Sequence, residues 1–202
     1  MYSSAVLNDA LRTELLSMAD TDQGVRADLV REGTLFDGYH PRMANIHHAN
    51  ARRLSEIMDA VGWPAPDLVG RDACDAAWLV LQHSIGDPVT MRRGLALLQA
   101  TTTAIAPAQL AMLEDRVRSM SGLSQRYGTQ FDWNDRGELI PREIDDPDHV
   151  DERRQSVGLP PLAEKMREMR ESLERHSCRP PEDLARRRKE IEQWEISVGW
   201  HD

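Results

Sequence analysis

Residues 75–87 read DAAWLVLQHSIGD. Wound as a helix, they place Ala76, Ala77 and Val80 on one face with His83 and Ser84, while Trp78, Leu79 and Leu81 cover the other faces. A helix that is apolar all round has to be an interior helix. The rest of the chain must therefore supply a shell of elements with apolar faces to cover it. Gln82 and His83 fall at the end of this core element, where a polar group without a partner costs a few kcal/mol. Their partners are the first place to look for chemistry.

The flanking sequence supplies that shell as helices. Residues 4–32 put Leu7, Leu11, Leu15 and Met18 on one face and Val25, Leu29 and Val30 on a second. GTLFDGYH at 33–40 interrupts them with two glycines. Pro41 is a good first-turn residue, and the row Met43, Ile46, Asn50, Leu54, Ile57 and Val61 extends from it to Gly62. Gly62-Trp63 reads as a left-handed cap with an aromatic packing back, and the same Val-Gly-Trp triplet recurs at 198–200. WPAPDLVG at 63–70 reads as a rigid loop. The central helix is expected to start near Asp72 and to stop at Gly86. Asp87-Pro88 and Pro107 open two more helices, with Met91, Leu95 and Leu98 inside the first and Leu110, Leu113, Val117 and Met120 inside the second.

From Gly122 to Ile144 the helical period vanishes. Residues 126–131 and 138–140 flank the turn signal WNDRG, which predicts a short β-hairpin over about 126–140. Asp146-Pro147 opens a helix that Gly158 closes, with acids in its first turn as the helix dipole prefers. Leu162, Met166, Met169 and Leu173 form an amphipathic row, and a last helix carries Leu184, Ile191, Trp194 and Val198. The expected fold is all-α, a compact bundle of about seven or eight helices with at most one hairpin. It reads as a single domain over 1–202, with a core region of about 39–162 and a C-terminal helical appendage of about 163–202.

Composition removes several classes of function. A net charge of −9 and a pI near 5.3 argue against a nucleic-acid surface, which needs a basic face. No run approaches the roughly 18 apolar residues of a membrane span, and the amphipathic N-terminus is unlike a signal peptide, so the expected compartment is the cytoplasm. Cys74 and Cys178 are the two cysteines, without CxxC or Cys/His spacing, which argues against a disulfide framework or a structural zinc site. P-loop, GxSxG and GxGxxG motifs are also absent.

The segments HHAN, GWP, LVG and AAWLVLQH, followed by AMLEDRV, GLSQRYGTQFDW and DDPDHVDERRQSVGLPPL, resemble an uncharacterised bacterial family catalogued as domain of unknown function 6624. The resemblance covers about residues 39–162. It implies a recurrent domain centred on Gln82-His83 and on Tyr127–Gln130, and it brings no reaction, cofactor or catalytic residue.

Three constellations can carry chemistry. His40, His47 and His83 are candidate metal ligands. A site in which His47, His83 and a carboxylate converge suits a divalent zinc, iron or manganese ion, against the plainer reading of His47 and His83 as hydrogen-bonded core residues and His48 as exposed. Arg116, within Glu114-Asp115-Arg116, can hold a substrate carboxylate or phosphate, or can simply close an internal ion pair. Gln125, Tyr127, Thr129 and Gln130 surround Gly128 in the irregular segment and offer donors and acceptors without net charge, or else satisfy their own backbone. The functional expectation is a small-molecule-processing enzyme of hydrolase or lyase type, acid/base or metal-assisted. His83, His47 and Tyr127 are its catalytic candidates, and Gln82, Arg116, Gln125, Thr129, Gln130 and Asn50 its substrate-binding candidates. The alternative is a helical domain that binds a small ligand or a protein without turnover.

Overall fold

The computed structural model describes residues 7–35, 38–101, 104–175 and 179–201. The expected helix start at Ser4, and the residues Phe36 and Cys178, lie outside that set. The chain forms two compact units, Met1–Ala106 and Pro107–Asp202.

The first unit is helical throughout its regular elements. Helix α1 spans Asp9–Glu32 and is capped by the Asn8 side chain, which accepts the Leu11 N–H at 3.0 Å. Gly33, at φ 73°, closes it in the left-handed region, where a residue without Cβ meets no steric penalty. The two faces expected for this segment are one continuous helix. Its buried stripe is Leu15, Ala19, Asp22 and Leu29, whereas Leu7 and Val30 are exposed.

Helix α2 spans Pro41–Val61, as its proline and glycine boundaries foretell, and buries Met43, His47, Ala51, Leu54, Ile57 and Met58. This stripe is rotated from the expected row, so Val61 faces solvent, while His47, beside that row, points inward as its position implies. The WPAPDLVG loop contains a short helix, α3, over Pro66–Val69. Pro66 fixes a helical φ at its first turn, and Val69 is buried completely.

Helix α4, the central element, spans Arg71–His83 and buries Ala73, Cys74, Ala76, Ala77, Val80, Leu81 and Gln82. It packs against α1, α2 and α3. It ends at His83, three residues before Gly86, because Ser84 turns its hydroxyl back to the Val80 carbonyl at 2.8 Å and a tight turn follows to Asp87. Helix α5 spans Pro88–Ala100, with the Asp87 carboxylate accepting the Thr90 N–H and hydroxyl.

In the second unit, α6 spans Pro107–Met120 and is followed by a two-stranded antiparallel sheet, β1 (Phe131–Trp133) and β2 (Leu139–Pro141). Phe131 pairs with Pro141 and Trp133 with Leu139. The hairpin is shorter than expected, since residues 126–130 do not join the ladder. A 3-10 turn at Pro147–His149 leads into α7 (Val150–Ser156), and α8 (Leu162–Arg175) and α9 (Leu184–Val198) complete the unit. Gly199, at φ 90°, ends α9, and the following Trp200 is buried, as Trp63 is after Gly62 at φ 72°. Among the described residues the architecture is all-α with one short hairpin, and no helix is long and apolar enough to cross a membrane.

Gly94 of α5 lies directly against the Leu81 side chain of α4. A Cβ there would stand 2.5 Å and 2.7 Å from the two methyls of Leu81, itself fully buried. Replacing Gly94 by Ala gains about 1 kcal/mol of helix propensity, but overpacking at a site with no room costs about 1–3 kcal/mol. Gly94→Ala is expected to lower the urea midpoint at unchanged m-value, corresponding to about 1 kcal/mol lost; an unchanged or higher midpoint would show that Leu81 can move aside.

Candidate functional site

Three helices of the first unit each place one polar residue in an otherwise apolar stripe. On α1, Asp22 lies seven residues after Leu15 and seven before Leu29, on the face that both leucines bury. On α2, His47 follows Met43 by one turn and precedes Ala51 by one turn. On α4, His83 is the last helical residue, one turn beyond Val80.

These three side chains meet. His83 Nδ1 stands 2.9 Å from both carboxylate oxygens of Asp22, and His47 Nε2 stands 3.1 Å from Asp22 Oδ2. The two imidazole rings are 5.1 Å apart between centroids, tilted by 38°. Asp22 is completely buried and His47 nearly so, while the His83 side chain keeps 21% of its surface, so the cluster reaches solvent on the His83 side. Tyr39 covers the far edge of His47. Its hydroxyl lies 2.9 Å from Nδ1, and the two rings stack at 5.7 Å.

The electrostatics follow from this packing. Burial by itself pushes the Asp22 carboxyl up, but the contacts and charge of His47 and His83 outweigh it and hold the group well below the usual carboxylate range. The aspartate is therefore ionised despite its depth. Burial, and secondarily the Asp22 charge, pushes the Tyr39 phenol up to about 12, so it keeps its proton at any physiological pH. A buried anion flanked by two imidazoles, one open to water, can hold a cation or orient an imidazole for proton transfer.

The other expected first-unit residues have local roles. His40 caps α2, its Nδ1 accepting the Arg42 N–H at 3.2 Å, and stands apart from the Asp22 cluster. Asn50 donates to the Met18 carbonyl at 3.3 Å, tying α2 to α1. Gln82 is buried on α4 and His48 is exposed.

In the second unit, the QRYGTQ segment encloses a carboxylate. Asp115 of α6, fully buried, accepts the backbone N–H groups of Arg126 at 2.7 Å, Tyr127 at 3.1 Å and Thr129 at 3.0 Å, and the Thr129 hydroxyl at 3.0 Å. Gln125, also fully buried, donates to the carbonyls of Gln130 and Arg142 and accepts the Gln130 N–H. Arg154 of α7 grips the same turn from its carbonyl side, donating to Tyr127 and Gly128 and to Pro160. Backbone groups committed to Asp115 and Gln125 cannot also form a strand ladder, which is why β1 begins only at Phe131. The strand-like alternation expected for Tyr127, Thr129 and Phe131 is therefore replaced by a turn, with Gly128 at φ 65°. Burial raises the Tyr127 phenol, Glu114 adding to it, and Arg126 lies 6.0 Å over its ring. Arg116 is half-buried on α6, and desolvation lowers it to about 10, still charged at neutral pH.

The structure thus brings His47 and His83 to one point in the first unit and gathers Gln125, Tyr127, Thr129 and Gln130 around Asp115 in the second. Sequence reasoning missed Asp22 and Tyr39. The legible signal for Asp22 was a carboxylate in register with Leu15 and Leu29, at a position where a helix needs an apolar residue. Tyr39 sits in an irregular stretch whose fold no periodicity reports.

Asp115 supplies a direct test of the second cluster. Asparagine keeps the shape but offers one acceptor oxygen in place of two, and turns an amide toward N–H donors. The Tyr127 N–H reaches both oxygens and keeps one of them, so one backbone donor, that of Arg126 or of Thr129, is left without a partner, at on the order of 1–3 kcal/mol. Asp115→Asn should lose about 1–3 kcal/mol in urea denaturation and speed hydrogen exchange at Arg126 or Thr129; slow exchange at both amides in the variant would refute the role given to the carboxylate.

The family model that matches the chain, over residues 9–175, is DUF6624, a family of unknown function. No curated protein and no solved structure matches the chain.

Proposed function

The chain belongs to the DUF6624 family, whose function is unknown, and we propose from its side chains that it is a small-molecule-processing enzyme of hydrolase or lyase type, working in the cytoplasm. Its reacting centre is the Asp22–His47–His83 cluster. The observation that carries this reading is a carboxylate with no solvent exposure, kept ionised, with two imidazoles converging on it and one of them open to water.

Hydrolysis and elimination both need a group that takes a proton from water, or from a substrate carbon, near neutral pH. The residues at this site supply that chemistry in the two forms side chains allow. An imidazole oriented by a buried carboxylate is a general base. Imidazole and carboxylate together are also the ligands that hold a water-activating cation. Asp115 is a buried carboxylate taken up by the backbone N–H groups of one turn, whereas Asp22 faces two imidazoles, one of them open to water. A strongly shifted carboxyl next to a residue that reaches solvent marks a candidate functional site.

A panel of chromogenic esters, amides and phosphoesters, together with elimination substrates, tests the proposal. His83→Ala should cost at least about 100-fold in turnover, the usual scale for losing a proton-transfer group, while the circular dichroism spectrum stays near wild type and the unfolding midpoint falls, because Asp22 loses one of its two partners. His83→Gln separates the roles further. If His83→Ala unfolds the protein and the Gln variant restores both stability and full activity, His83 is a structural hydrogen-bonding group and the centre is not catalytic.

A further inference from the structure

We infer that Asp22, His47 and His83 form a mononuclear site for a divalent transition-metal ion, bound through one carboxylate oxygen, His47 Nε2 and His83 Nδ1. The inference rests on the reading of this cluster as the reacting centre, and it names what the cluster holds.

Spacing is the first argument. Ligand atoms about 2.0–2.2 Å from a tetrahedral ion stand about 3.3 Å from one another. Here the two nitrogen-to-oxygen edges are 2.9 Å and 3.1 Å, and all three ligand atoms lie within 4.8 Å of one another. The two nitrogen-to-oxygen edges need to open by only a few tenths of an ångström to admit a cation.

Orientation is the second. His47 Nε2 is buried and lies 3.1 Å from Asp22 Oδ2, yet it is off the line of a hydrogen bond to it or to any other partner. A buried ring nitrogen without a hydrogen bond is costly. Ligands of one ion aim at a shared point rather than at each other, and that accounts for the misalignment.

The third argument is tautomeric. The other ring nitrogen of His47 is 2.9 Å from the Tyr39 hydroxyl. A histidine that ligates through Nε2 carries its proton on Nδ1 and donates it to an oxygen, which fixes the ring and raises its basicity. Tyr39 stands where that acceptor belongs. Its hydroxyl oxygen has a lone pair with which to accept that bond. Tyr39 is thus a positioning residue acting through His47.

Access is the fourth. Asp22 and His47 are sealed, and the exposed edge of the cluster is at His83. Three protein ligands on the buried side leave the outward positions to water and substrate, the arrangement of a catalytic rather than a closed structural site. Two imidazoles and one carboxylate favour zinc, iron or manganese over magnesium or calcium.

The test uses the full chain purified without a polyhistidine tag and stripped with chelator. Zn2+ is titrated by calorimetry, and Co2+ by its visible absorption, which reports coordination directly. One ion per chain is expected. Asp22→Asn and His47→Gln should weaken binding at least about 100-fold, and Tyr39→Phe about 10- to 100-fold with a shifted Co2+ spectrum. His48→Ala, on the exposed face of the same helix, should change nothing. Thermal unfolding of each metal-free variant shows whether it folds, and Tyr39→Phe, which removes a single oxygen, keeps the test valid if the ligand variants do not. Absence of stoichiometric binding to the wild-type chain, or equal binding by Asp22→Asn, overturns the site. Full turnover by metal-free protein together with no stoichiometric binding would overturn the site while leaving the enzyme reading intact. A bound ion without turnover would overturn the enzyme reading and leave the metal site standing.

Discussion

An ionised carboxylate at the centre of a helical core sets the terms for the first unit. A lone carboxylate in a medium of low dielectric is costly enough that it normally takes up a proton instead. Asp22 stays charged because two helices bring an imidazole each to within about one hydrogen-bond length of it. That condition is geometric. It requires α1, α2 and α4 to lie at one rotation and one height, since a slip of one turn on any helix removes a partner from the anion. Apolar stripes such as Leu15/Ala19/Leu29 or Met43/Ala51/Leu54 tolerate such slips far better, because dispersion and burial are not directional. The polar cluster therefore fixes the register, and the apolar residues around it supply the driving force.

The second unit uses the same device for another end. Asp115 is also a buried carboxylate in the apolar face of a helix, but its partners are backbone N–H groups of one turn. Arg154, buried on the other side, satisfies the carbonyls of that turn, and burial lowers its guanidinium despite nearby Asp151 and Asp115. An irregular segment can be held inside a unit only if both kinds of backbone group find partners. Asp115 and Arg154 provide them. The polar residues of the YGTQ segment are thus largely engaged with one another, whereas the Asp22 cluster retains a buried nitrogen outside any hydrogen bond and an edge open to water.

How much of this was legible depends on the kind of signal. The bounds of α2 and α5 follow from local chemistry: a proline at the first turn, a side-chain cap from His40 or Asp87, and for α2 a glycine at its end. The burial of α4 follows from its composition. His47 and His83 could be named as inward-facing because they stand in apolar stripes. The hairpin was placed at its turn but given too much strand, because Asp115, more than ten residues earlier, takes the N–H groups the ladder would have used. The WPAPDLVG stretch hid a single helical turn, since four residues are too few to show a period.

The sequence alone determined the helical class and the bounds of several helices, because capping, turn chemistry and the 3.6-residue period act over a few residues. It carried a signal for Asp22 in its register with Leu15 and Leu29, and that signal was passed over. Only the tertiary structure decided that this carboxylate, His47 and His83, drawn from three helices and separated by up to 61 residues, share one point, with Tyr39 behind them. Convergence of that kind is set by how helices pack, and packing depends on the whole apolar surface at once. No single stretch of sequence carries it.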